Sequence, residues 1–554
     1  MAVHLPSVHK TDLLTRALAC LGLANFLLLS EWQSLYIVYN RDLSYFASVK
    51  YPLTYVWSTV LTVVLVGVGL TAASTLLERV RRSCRTSAID RLVLALNAFV
   101  IIAVWMCGSV LLASPRTRFG IAAGMLAVAV TCVARLPKAV ALASGSRLLA
   151  WTALFFPVVF GTTLLKSTNY RLVAPVQASQ SGSTESSPNR LVWIVLDEFD
   201  PTVAFDRRPG DVQLRALDRL RSESFVATNA YAPGSWTLDA LPTLWTGRPV
   251  SEAREVGPSD LRLTFVGVDG QHLLAASDTV FAQAHAAGFK VGIAGWYHPY
   301  CRLFGHVAEQ CESVSSSDSV LAFRRAEFAA ERGTLAMVPL LVRWRAPWSF
   351  EALATGGLVR ARAEAEKTRT LLERAETYRL VHARTLAMVQ DRSLALVFAH
   401  YPVPHLPGFY DSNRGEIDIT TSHGYENNLA LADRAVGELR RALEEAGLWA
   451  GTTVLVHSDH ALRPRIWKQL QQWTPELEAS TGGRQSAFTP FILKLPGQDK
   501  GIEYDRPFNA ALARDLVMAA LDGRLGSAAE VTKWLDANRH RVPLSWPVRT
   551  LLDR

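Results

Sequence analysis

Short apolar runs alternate with amphipathic stretches in the chain beyond residue 190. Several runs rich in Val, Ile and Leu have strand length and no polar alternation: 191–196, 290–296, 394–401, 452–457 and 491–495. Continuous apolar runs of this length are typical of strands buried on both faces of a parallel sheet. The stretches at 212–224 and 425–446 carry apolar residues at helical spacing instead. The alternation predicts an α/β domain over 191–554 with a mainly parallel central sheet.

The first 170 residues show a different pattern, in which the apolar segments are much longer. Their approximate bounds are 17–39, 51–77, 92–113, 119–134 and 148–165. Each is near the length that a helix needs to cross a bilayer, so we predict an α-helical transmembrane bundle of about five spans over 1–170. The intervening loops before the third and fifth segments carry most of the Arg and Lys residues, which marks them as cytoplasmic. This topology predicts a multi-pass protein of the inner (cytoplasmic) membrane, with everything after residue 170 on the periplasmic side.

Two segments depart from this plan. Residues 171–190 include the Ser-rich stretch ASQSGSTESSPN and predict a flexible linker. Residues 314–390 lose the strand–helix alternation and predict a helical insertion that ends in a long charged helix, roughly 357–389. The stretch MVPLLVRWRAPW within it leaves two interpretations open, packing in a helical cap or contact with the lipid surface.

Composition agrees with a membrane part joined to a soluble part, because 49% of the residues are hydrophobic and 19% are charged. Many of the Arg residues behind the net charge of +9 lie in short N-terminal loops, where membrane topology explains them. Since the chain has no zinc-finger spacing and no basic aromatic module, we expect no nucleic-acid partner. Cys301 and Cys311 lie beyond the apolar segments, and are either a disulfide in an oxidising compartment or two free thiols.

Ionisable residues directly follow two of the predicted strands. Asp197 and Glu198 follow the run 191–196, and Asp459 and His460 come just after the run 452–457. Ligands of open α/β sheets bind beyond the carboxyl ends of the strands, and carboxylate oxygen beside imidazole is an ordinary ligand set for a divalent ion. The two pairs therefore predict a metal site, whereas each pair alone would also suit an ordinary solvated strand end.

A loop rich in hydroxyl groups lies between these pairs in the sequence. Ser235 and Thr237 come just before a helix-like run that ends at Gly247. Free backbone N–H groups at a helix N-terminus favour an anion, which suits a catalytic hydroxyl at this place. Ser and Thr are also common N-cap residues, so the local pattern leaves both roles open.

Together these motifs resemble the sulfatase branch of the alkaline-phosphatase superfamily. NAYAPGSWTLDALPTLWTG is similar to the family's nucleophile loop and helix, which close on the same Thr-Gly pair, and AHYPVPHLPG is similar to its Pro-His-x-Pro segment. GFKVGIAGWYH resembles the strand that ends in a Lys-Trp-His signature, of which His298 is retained. The nearest similarity is the helix, Gly-Leu-Trp turn and strand over 425–460. The resemblance implies that superfamily's fold and a metal-dependent hydrolase or transferase.

The resemblance also implies roles for individual residues. Its metal ligands fall on Asp197, Thr237, Asp459 and His460. Its nucleophile falls on Thr237, and its further active-site histidines, which stabilise phosphoryl oxygens or protonate the leaving group, fall on His405 and His298. We add three further candidates: Glu198, His400 and Ser235. We expect one divalent metal ion, with Zn²⁺ or Mn²⁺ favoured over Mg²⁺ or Ca²⁺ by the mixed oxygen and imidazole ligands.

One departure from the family decides the expected chemistry. Sulfatases convert a Cys or Ser to formylglycine, and Thr237 cannot form that aldehyde. A threonine beside a divalent ion suits phosphoryl transfer through a phosphothreonine instead. Membrane spans followed by an external domain with a threonine nucleophile resemble the lipid A phosphoethanolamine transferases and, more loosely, lipoteichoic acid synthase. The Gly-Glu-Thr-Ala-Arg segment of the transferases is replaced here by LDEFD, which leaves the donor open.

We therefore expect transfer of a phosphorylated alcohol, similar to phosphoethanolamine or phosphoglycerol, onto a membrane lipid or an envelope glycan. Two alternatives stay open. One is phosphodiesterase, phosphatase or sulfuric ester hydrolase activity on the same fold, and the other is a non-catalytic, membrane-anchored binding protein. The sequence predicts no particular oligomeric state.

Overall fold

The computed structural model describes most of the chain beyond residue 188 and parts of the N-terminal region. The described ranges are 13–27, 45, 53–83, 161 and 189–547, with gaps at 211, 257–258, 275–277, 316–357 and 470–471. These residues belong to two compact units, one with the N-terminal helices and one with Tyr45 and the domain after residue 188.

The N-terminal unit contains helices α1 (Leu13–Leu27) and α2 (Leu53–Ser83). They pack closely, since a Cβ on Gly67 of α2 would lie 3.3 Å from the Cα of Leu21. By length and composition, one described helix could cross a membrane, Val56–Leu76 within α2. The predicted segments 92–113, 119–134 and 148–165 lie almost wholly outside the described residues, so the bundle of about five spans stays a prediction.

The second unit is built on an eight-stranded sheet. In sheet order its strands are β14 (Ile502–Tyr504), β2 (Phe225–Ala227), β13 (Phe491–Lys494), β12 (Thr452–His457), β1 (Arg190–Leu196), β9 (Leu396–Tyr401), β7 (Val291–Tyr297) and β8 (Gln310–Ser315). Strand β13 runs antiparallel to its neighbours, and the other neighbouring pairs are parallel. The predicted α/β domain with a mainly parallel sheet is thus confirmed.

Helices cover both faces of this sheet. They are α3 (Arg215–Ser222), α4 (Thr237–Thr246), α5 (Val280–Ala286), α6 (Tyr300–Phe304), α7 (Leu358–Gln390), α8 (Tyr425–Glu445), α9 (Pro464–Trp467), α10 (Pro475–Thr481), α11 (Ala513–Leu521) and α12 (Ala528–Asn538). Short strands form small additional sheets: β3 (Ala230–Tyr231) with β15 (Phe508–Asn509), β4 (Val250–Glu255) with β5 (Leu261–Phe265) and β6 (His272–Leu273), and β10 (Tyr410–Asp411) with β11 (Glu416–Ile417). A π-helix (Thr202–Asp206) and a 3₁₀-helix (Ala510–Leu512) complete the described elements.

Strand β1 lies in the middle of the core, which explains its uninterrupted apolar sequence. Leu191, Trp193 and Val195 pack on one face with α4, α5 and α11, and the alternate side chains pack on the other face with α3, α7 and α8. Every residue of β1 is buried. Full burial of one aliphatic side chain contributes roughly 1.5–3 kcal/mol, so this strand is held rigidly and can position residues at its end.

Parts of the segment 314–390, which the sequence predicts as an insertion, belong to the core of the domain. Residues 310–315 form β8 of the main sheet, so the predicted boundary at 314 falls inside this strand. The long helix predicted at 357–389 is α7, Leu358–Gln390. Its apolar residues, among them Leu371, Tyr378 and Met388, are buried in the same core as β1 and β9. Helix α7 is therefore a structural layer of the domain, and the residues left for an insertion, 316–357, lie outside the described part of the chain.

Arg190 joins the start of β1 to the end of α7. Its guanidinium donates hydrogen bonds to four carbonyl oxygens, those of Met388, Val389, Asp391 and Leu394. The last carbonyl groups of a helix have no partner within the helix, so Arg190 satisfies them. Burial lowers the pKa of Arg190 to about 10, and it remains charged at neutral pH.

We expect Arg190→Met to lower the free energy of unfolding by roughly 3 kcal/mol, because buried carbonyl groups lose their charged donor. Urea or thermal unfolding of the purified protein measures the change. The control is Arg219→Met in α3, since Arg219 pairs with Glu223 at the surface. Its effect should stay within about 0.5 kcal/mol. An equal loss in both variants would contradict a capping role for Arg190.

Candidate active site and metal centre

Predicted site residues follow four neighbouring strands of the main sheet. Asp459 and His460 come just after β12, Asp197 follows β1, His400 lies at the end of β9 and His298 follows β7. All five residues are fully buried. Parallel strands end at the same edge of a sheet, so this topology gathers residues that are far apart in the sequence.

Three of these side chains form a cluster that could hold a metal ion. Ligand atoms of Asp197, Asp459 and His460 all lie within 4.8 Å of one another. His460 Nε2 lies 3.3 Å from Asp459 Oδ2 and 4.0 Å from Asp197 Oδ1. Thr237 Oγ1 lies 3.1 Å from the same nitrogen of His460. The structure therefore brings together the four residues that the sequence predicts as metal ligands.

Three of the four carboxylate oxygens of this cluster lack hydrogen-bond partners within the described part of the chain. Both oxygens of Asp197 and Oδ2 of Asp459 are buried and accept no hydrogen bond there. Buried carboxylates without partners are costly unless a cation compensates them. The cluster thus fits a divalent ion held by two carboxylates, an imidazole and the Thr237 hydroxyl.

Backbone carbonyl groups set the tautomers of two histidines at this edge. His460 Nδ1 lies 3.1 Å from the carbonyl oxygen of Ala461 and donates to it, which leaves the Nε2 lone pair directed at the carboxylates. His400 Nδ1 is likewise 3.0 Å from the carbonyl oxygen of Trp296. Its Nε2, unpartnered among the described residues, lies 3.7 Å from Asp197 Oδ2. Metal-binding histidines are commonly oriented in this way, and the Nε2 of His400 is directed at Asp197.

Burial also changes the proton affinities in the cluster. Burial, followed by the charges of Asp459 and Glu198, raises the pKa of Asp197 well above its ordinary value. Burial lowers the pKa of His400 and of His460 to about 3, so both rings are neutral at physiological pH. Neutral imidazoles are ready to bind a metal ion, and an ion that binds Asp197 must displace its proton.

Thr237 stands at the start of helix α4. It is the first helical residue after Trp236, and it is 4% exposed, whereas Ser235 is exposed to solvent. A Cβ on Gly234 would lie 2.9 Å from the Cα of Ala240, so a glycine is needed for the loop to turn this close to the helix. Thr237 therefore lies in the first turn of a helix, a place that favours an anion.

Glu198 is turned away from the metal cluster. It forms an ion pair with the buried Arg463, and Trp467 Nε1 donates to its two oxygens at 3.0 and 2.8 Å. Only its backbone N–H reaches the cluster, 3.3 Å from Asp459 Oδ1. This geometry argues against Glu198 as a further metal ligand. It also places Arg463 inside the site, although its sequence context is typical of a solvated basic loop.

His405 faces Arg463, on the cationic side of the site. Its Nδ1 donates to the carbonyl oxygen of Leu406, and Arg463 Nη2 donates to its Nε2 at 3.3 Å. Burial and the charges of Arg374 and Arg463 lower the pKa of His405 well below its ordinary value. A neutral ring with both nitrogens engaged cannot donate a proton to a leaving group, so this geometry favours a role in positioning Arg463.

Two residues outside the sequence motifs reach the site. Arg374 on α7 lies over the ring of Trp296, with Cζ 4.3 Å from the ring centroid. Tyr45, from the N-terminal region, is 1% exposed, and its hydroxyl lies 2.6 Å from His298 Nδ1. Neither residue stands in a recognisable motif, because Arg374 is one of many charged residues of a helix and Tyr45 lies between two apolar segments.

His298 is held from both sides. Its Nε2 lies 3.4 Å from the carbonyl oxygen of Thr237, which can only accept, so Nε2 carries the proton and the Tyr45 hydroxyl donates to Nδ1. Burial lowers the pKa of His298 to about 3, which keeps the ring neutral. His298 therefore acts on the backbone of Thr237 and is a positioning residue in this arrangement.

A disulfide joins Cys301 and Cys311, whose Cα atoms are 5.5 Å apart. It connects α6 to β8. Tyr300, next to Cys301, places its hydroxyl 2.9 Å from His400 Nδ1. The covalent link thus restrains the short helix that contacts His400.

The sequence profile of the family described as type I phosphodiesterase / nucleotide pyrophosphatase matches residues 191–542. The chain belongs to this family. It is therefore an enzyme of the sulfatase-like, metal-dependent hydrolase type within the alkaline-phosphatase superfamily, as the motifs predict. The phosphodiesterase-family match covers the main sheet after Arg190 and every site residue described above except Tyr45.

Solved structures similar to this phosphodiesterase-family chain include Ps i-CgsB, phosphonate monoester hydrolase of Agrobacterium radiobacter and lipoteichoic acid synthase LtaP from Listeria monocytogenes. Their identities are 13%, 13% and 12%, with TM-scores of 0.40, 0.36 and 0.32. The alignments cover 64%, 60% and 63% of this chain, and 77%, 74% and 76% of the respective structures. No curated protein matches the chain.

We expect Asp197→Asn to abolish stoichiometric metal binding, because it removes one of two charged ligands. In excess chelator the unfolding temperature of the variant should equal or exceed that of the wild type, since the amide replaces a buried carboxylate that the charge of Asp459 repels. At pH values below the raised pKa of Asp197, each increase of one pH unit should raise the metal affinity of the wild type about ten-fold, because binding releases one proton. Elemental analysis, and thermal unfolding with and without chelator, measure these effects.

The matched control is Asp418→Asn, because Asp418 also contacts a histidine, His423, at 3.0 Å. Its metal content should equal that of the wild type. Full metal occupancy in Asp197→Asn, or loss of metal in Asp418→Asn, would overturn the assignment of the metal site.

We expect Tyr45→Phe in the full chain to lower kcat about ten-fold with a much smaller change in KM, because a loosened His298 no longer fixes the backbone of Thr237. Steady-state kinetics on a chromogenic phosphodiester measures both constants. Tyr504→Phe is the control, since the buried Tyr504 donates to Asp536 instead. Equal kinetic effects in the two variants would show that Tyr45 has no role in the site.

Proposed function

We propose that the protein cleaves a phosphodiester through a covalent phosphothreonine on Thr237. The observation that carries this proposal is the Thr237 hydroxyl 3.1 Å from His460 Nε2, near three carboxylate oxygens without described partners and at a helix N-terminus. Asp197, Asp459, His460 and the Thr237 hydroxyl would hold the divalent ion, which when bound lowers the pKa of the hydroxyl and offsets the charge of the phosphate.

The first step forms a bond between Thr237 Oγ1 and phosphorus and breaks the bond from phosphorus to the leaving alcohol. The electron pair of the broken bond stays on the alcohol oxygen, and the proton lost by Thr237 ends on the released alcohol. In the second step the oxygen of an acceptor hydroxyl forms a bond to phosphorus and the bond from phosphorus to Thr237 Oγ1 breaks. The proton of the acceptor ends on Thr237 Oγ1, which restores the threonine. Thr237 is held for this reaction by His298 at its carbonyl oxygen.

We propose that the donor is a phosphoethanolamine- or phosphoglycerol-like diester and that the acceptor is a hydroxyl of a membrane lipid or envelope glycan. The apolar helix Val56–Leu76 supports a membrane location. The Cys301–Cys311 disulfide supports an oxidising, periplasmic compartment for the catalytic domain. In this proposal residues 1–170 anchor the protein in the inner membrane and 171–190 link them to the catalytic domain.

Hydrolysis is the second candidate function, with water as the acceptor in the same second step. The match to a phosphodiesterase and pyrophosphatase family favours it. Formylglycine-dependent sulfuric ester hydrolysis has no support, because the nucleophile position holds Thr237.

We expect the wild type, quenched in acid during turnover of a diester, to carry a phosphoryl adduct that intact-mass measurement and peptide mapping place on Thr237. Thr237→Ala should lose the adduct and at least about 10³-fold of kcat, because the nucleophile is absent. Thr237→Ser should retain an adduct, since it keeps a hydroxyl at the same place.

Ser235→Ala is the matched control and should keep the adduct and nearly full activity, because Ser235 is exposed. An adduct that persists in Thr237→Ala and disappears in Ser235→Ala would identify the other hydroxyl as the nucleophile. The same reaction in vesicles of phosphatidylethanolamine and a hydroxylated glycolipid separates the two functions. A modified glycolipid indicates transfer, whereas free phosphoethanolamine alone indicates hydrolysis.

A further inference from the structure

Arg374 brings a positive charge into the active site from helix α7. Its guanidinium lies over Trp296, and its Nη1 is buried with no hydrogen-bond partner in the part of the chain that the structure describes. Trp296 in turn contacts the ring of His405, with centroids 5.5 Å apart. A buried guanidinium N–H without an acceptor is costly, so this group is prepared for an anionic partner.

Arg463 also lies over a tryptophan ring, as Arg374 does. Its Cζ lies 4.7 Å from the ring centroid of Trp236, and its Nη2 contacts His405. The two arginines therefore stack on tryptophans near the same histidine. They differ in one respect: Arg463 is neutralised by Glu198, whereas Arg374 forms no ion pair with the described residues. The charge of Arg374 is the one left for a ligand.

The charges around the cluster show which ligand would balance this site. Asp197 experiences the charges of four neighbours: Asp459, Glu198, Arg463 and Arg374. Glu198 and Arg463 compensate each other as an ion pair. A divalent ion would compensate Asp197 and Asp459, which leaves the single positive charge of Arg374. A phosphodiester carries one negative charge, and a phosphate monoester at neutral pH carries nearly two.

We propose that Arg374 binds a non-bridging oxygen of the substrate phosphate and so offsets the negative charge that a phosphodiester brings into the site. The proposal rests on the proposed function, because it takes Thr237 as the place of the phosphorus atom. It gives α7 a second role beside packing on the sheet, since the same helix supplies the charge that complements the substrate.

The test compares the metal-loaded, full-length wild type with Arg374→Met, which keeps an unbranched side chain for packing on Trp296 but removes the charge. The substrates are bis(p-nitrophenyl) phosphate, a diester, and p-nitrophenyl phosphate, a monoester. We expect kcat/KM for the diester to fall about 100-fold. For the monoester kcat/KM should fall at least as much, because a positive charge stabilises two negative charges more than one, so the diester-to-monoester ratio should not fall. Arg374→Lys should recover part of the diester activity, because it restores the charge without the planar fork.

The matched control is Arg379→Met on the same helix, because Arg379 is half-exposed and pairs with Glu376. It should change kcat/KM by less than about two-fold. Metal content and unfolding temperature are measured for every variant. If Arg374→Met does not fold, Arg374→Lys decides, because unchanged diester kcat/KM in that variant would overturn recognition by the guanidinium.

A binding measurement separates failure of this inference from failure of the proposed function. Calorimetry with dimethyl phosphate measures recognition without chemistry, and we expect about ten-fold weaker binding in Arg374→Met. A wild type that binds dimethyl phosphate through Arg374 but cleaves no diester supports the role of Arg374 and overturns the proposed reaction. A wild type that cleaves diesters while Arg374→Met retains its affinity and its kcat/KM overturns the role of Arg374 alone.

Discussion

Two buried carboxylates, those of Asp197 and Asp459, are the constraint on which the rest of this site depends. Each lies at the end of a fully buried strand, and the two strands are parallel neighbours in the sheet, with Val195 opposite His457. Removing both charges from water costs several kcal/mol unless a cation compensates them. Because the sheet fixes the strand ends, the carboxylates cannot move apart, and the cost can be relieved only by a proton or by a metal ion.

The backbone of two residues near the strand ends is strained, and the strain at Glu198 determines where its side chain points. Glu198 has a φ of 60° and Tyr297 a φ of 76°, both unusual for residues other than glycine. Such conformations cost about 1–3 kcal/mol each and persist where the surrounding core determines them. The turn at Glu198 separates two adjacent carboxylates, so that Asp197 faces the metal cluster and Glu198 faces Arg463. One acid is left for the ion and the other neutralises a guanidinium.

The sequence predicts the acidic side of the site well and the cationic side poorly, for a physical reason. Asp197, Asp459 and His460 follow apolar runs, and strand topology alone brings them together. The partner of Glu198 and the burial of Arg463 depend on how the loop after β12 folds back, which local patterns do not encode. Arg374 is harder still, because in a helix with many charged residues only tertiary packing decides which one faces inward. Packing also explains why α7 looked like an insertion, since its charged sequence hides the apolar stripe buried against the sheet.

Acids and cations thus enter the site from different kinds of element. The acids stand on strand ends that the phosphodiesterase fold fixes, whereas Arg463 and Arg374 come from a loop and from a covering helix. A helix can exchange one polar residue with little effect on the sheet, so recognition of the substrate charge can change without loss of the metal site. Tyr45 lies outside the family domain, almost 150 residues before the matched range. Its hydroxyl contacts His298, which in turn contacts the carbonyl oxygen of Thr237. The position of Thr237 therefore depends on Tyr45, which lies between α1 and α2 in the sequence, and the phosphodiesterase-family domain alone does not contain the whole site.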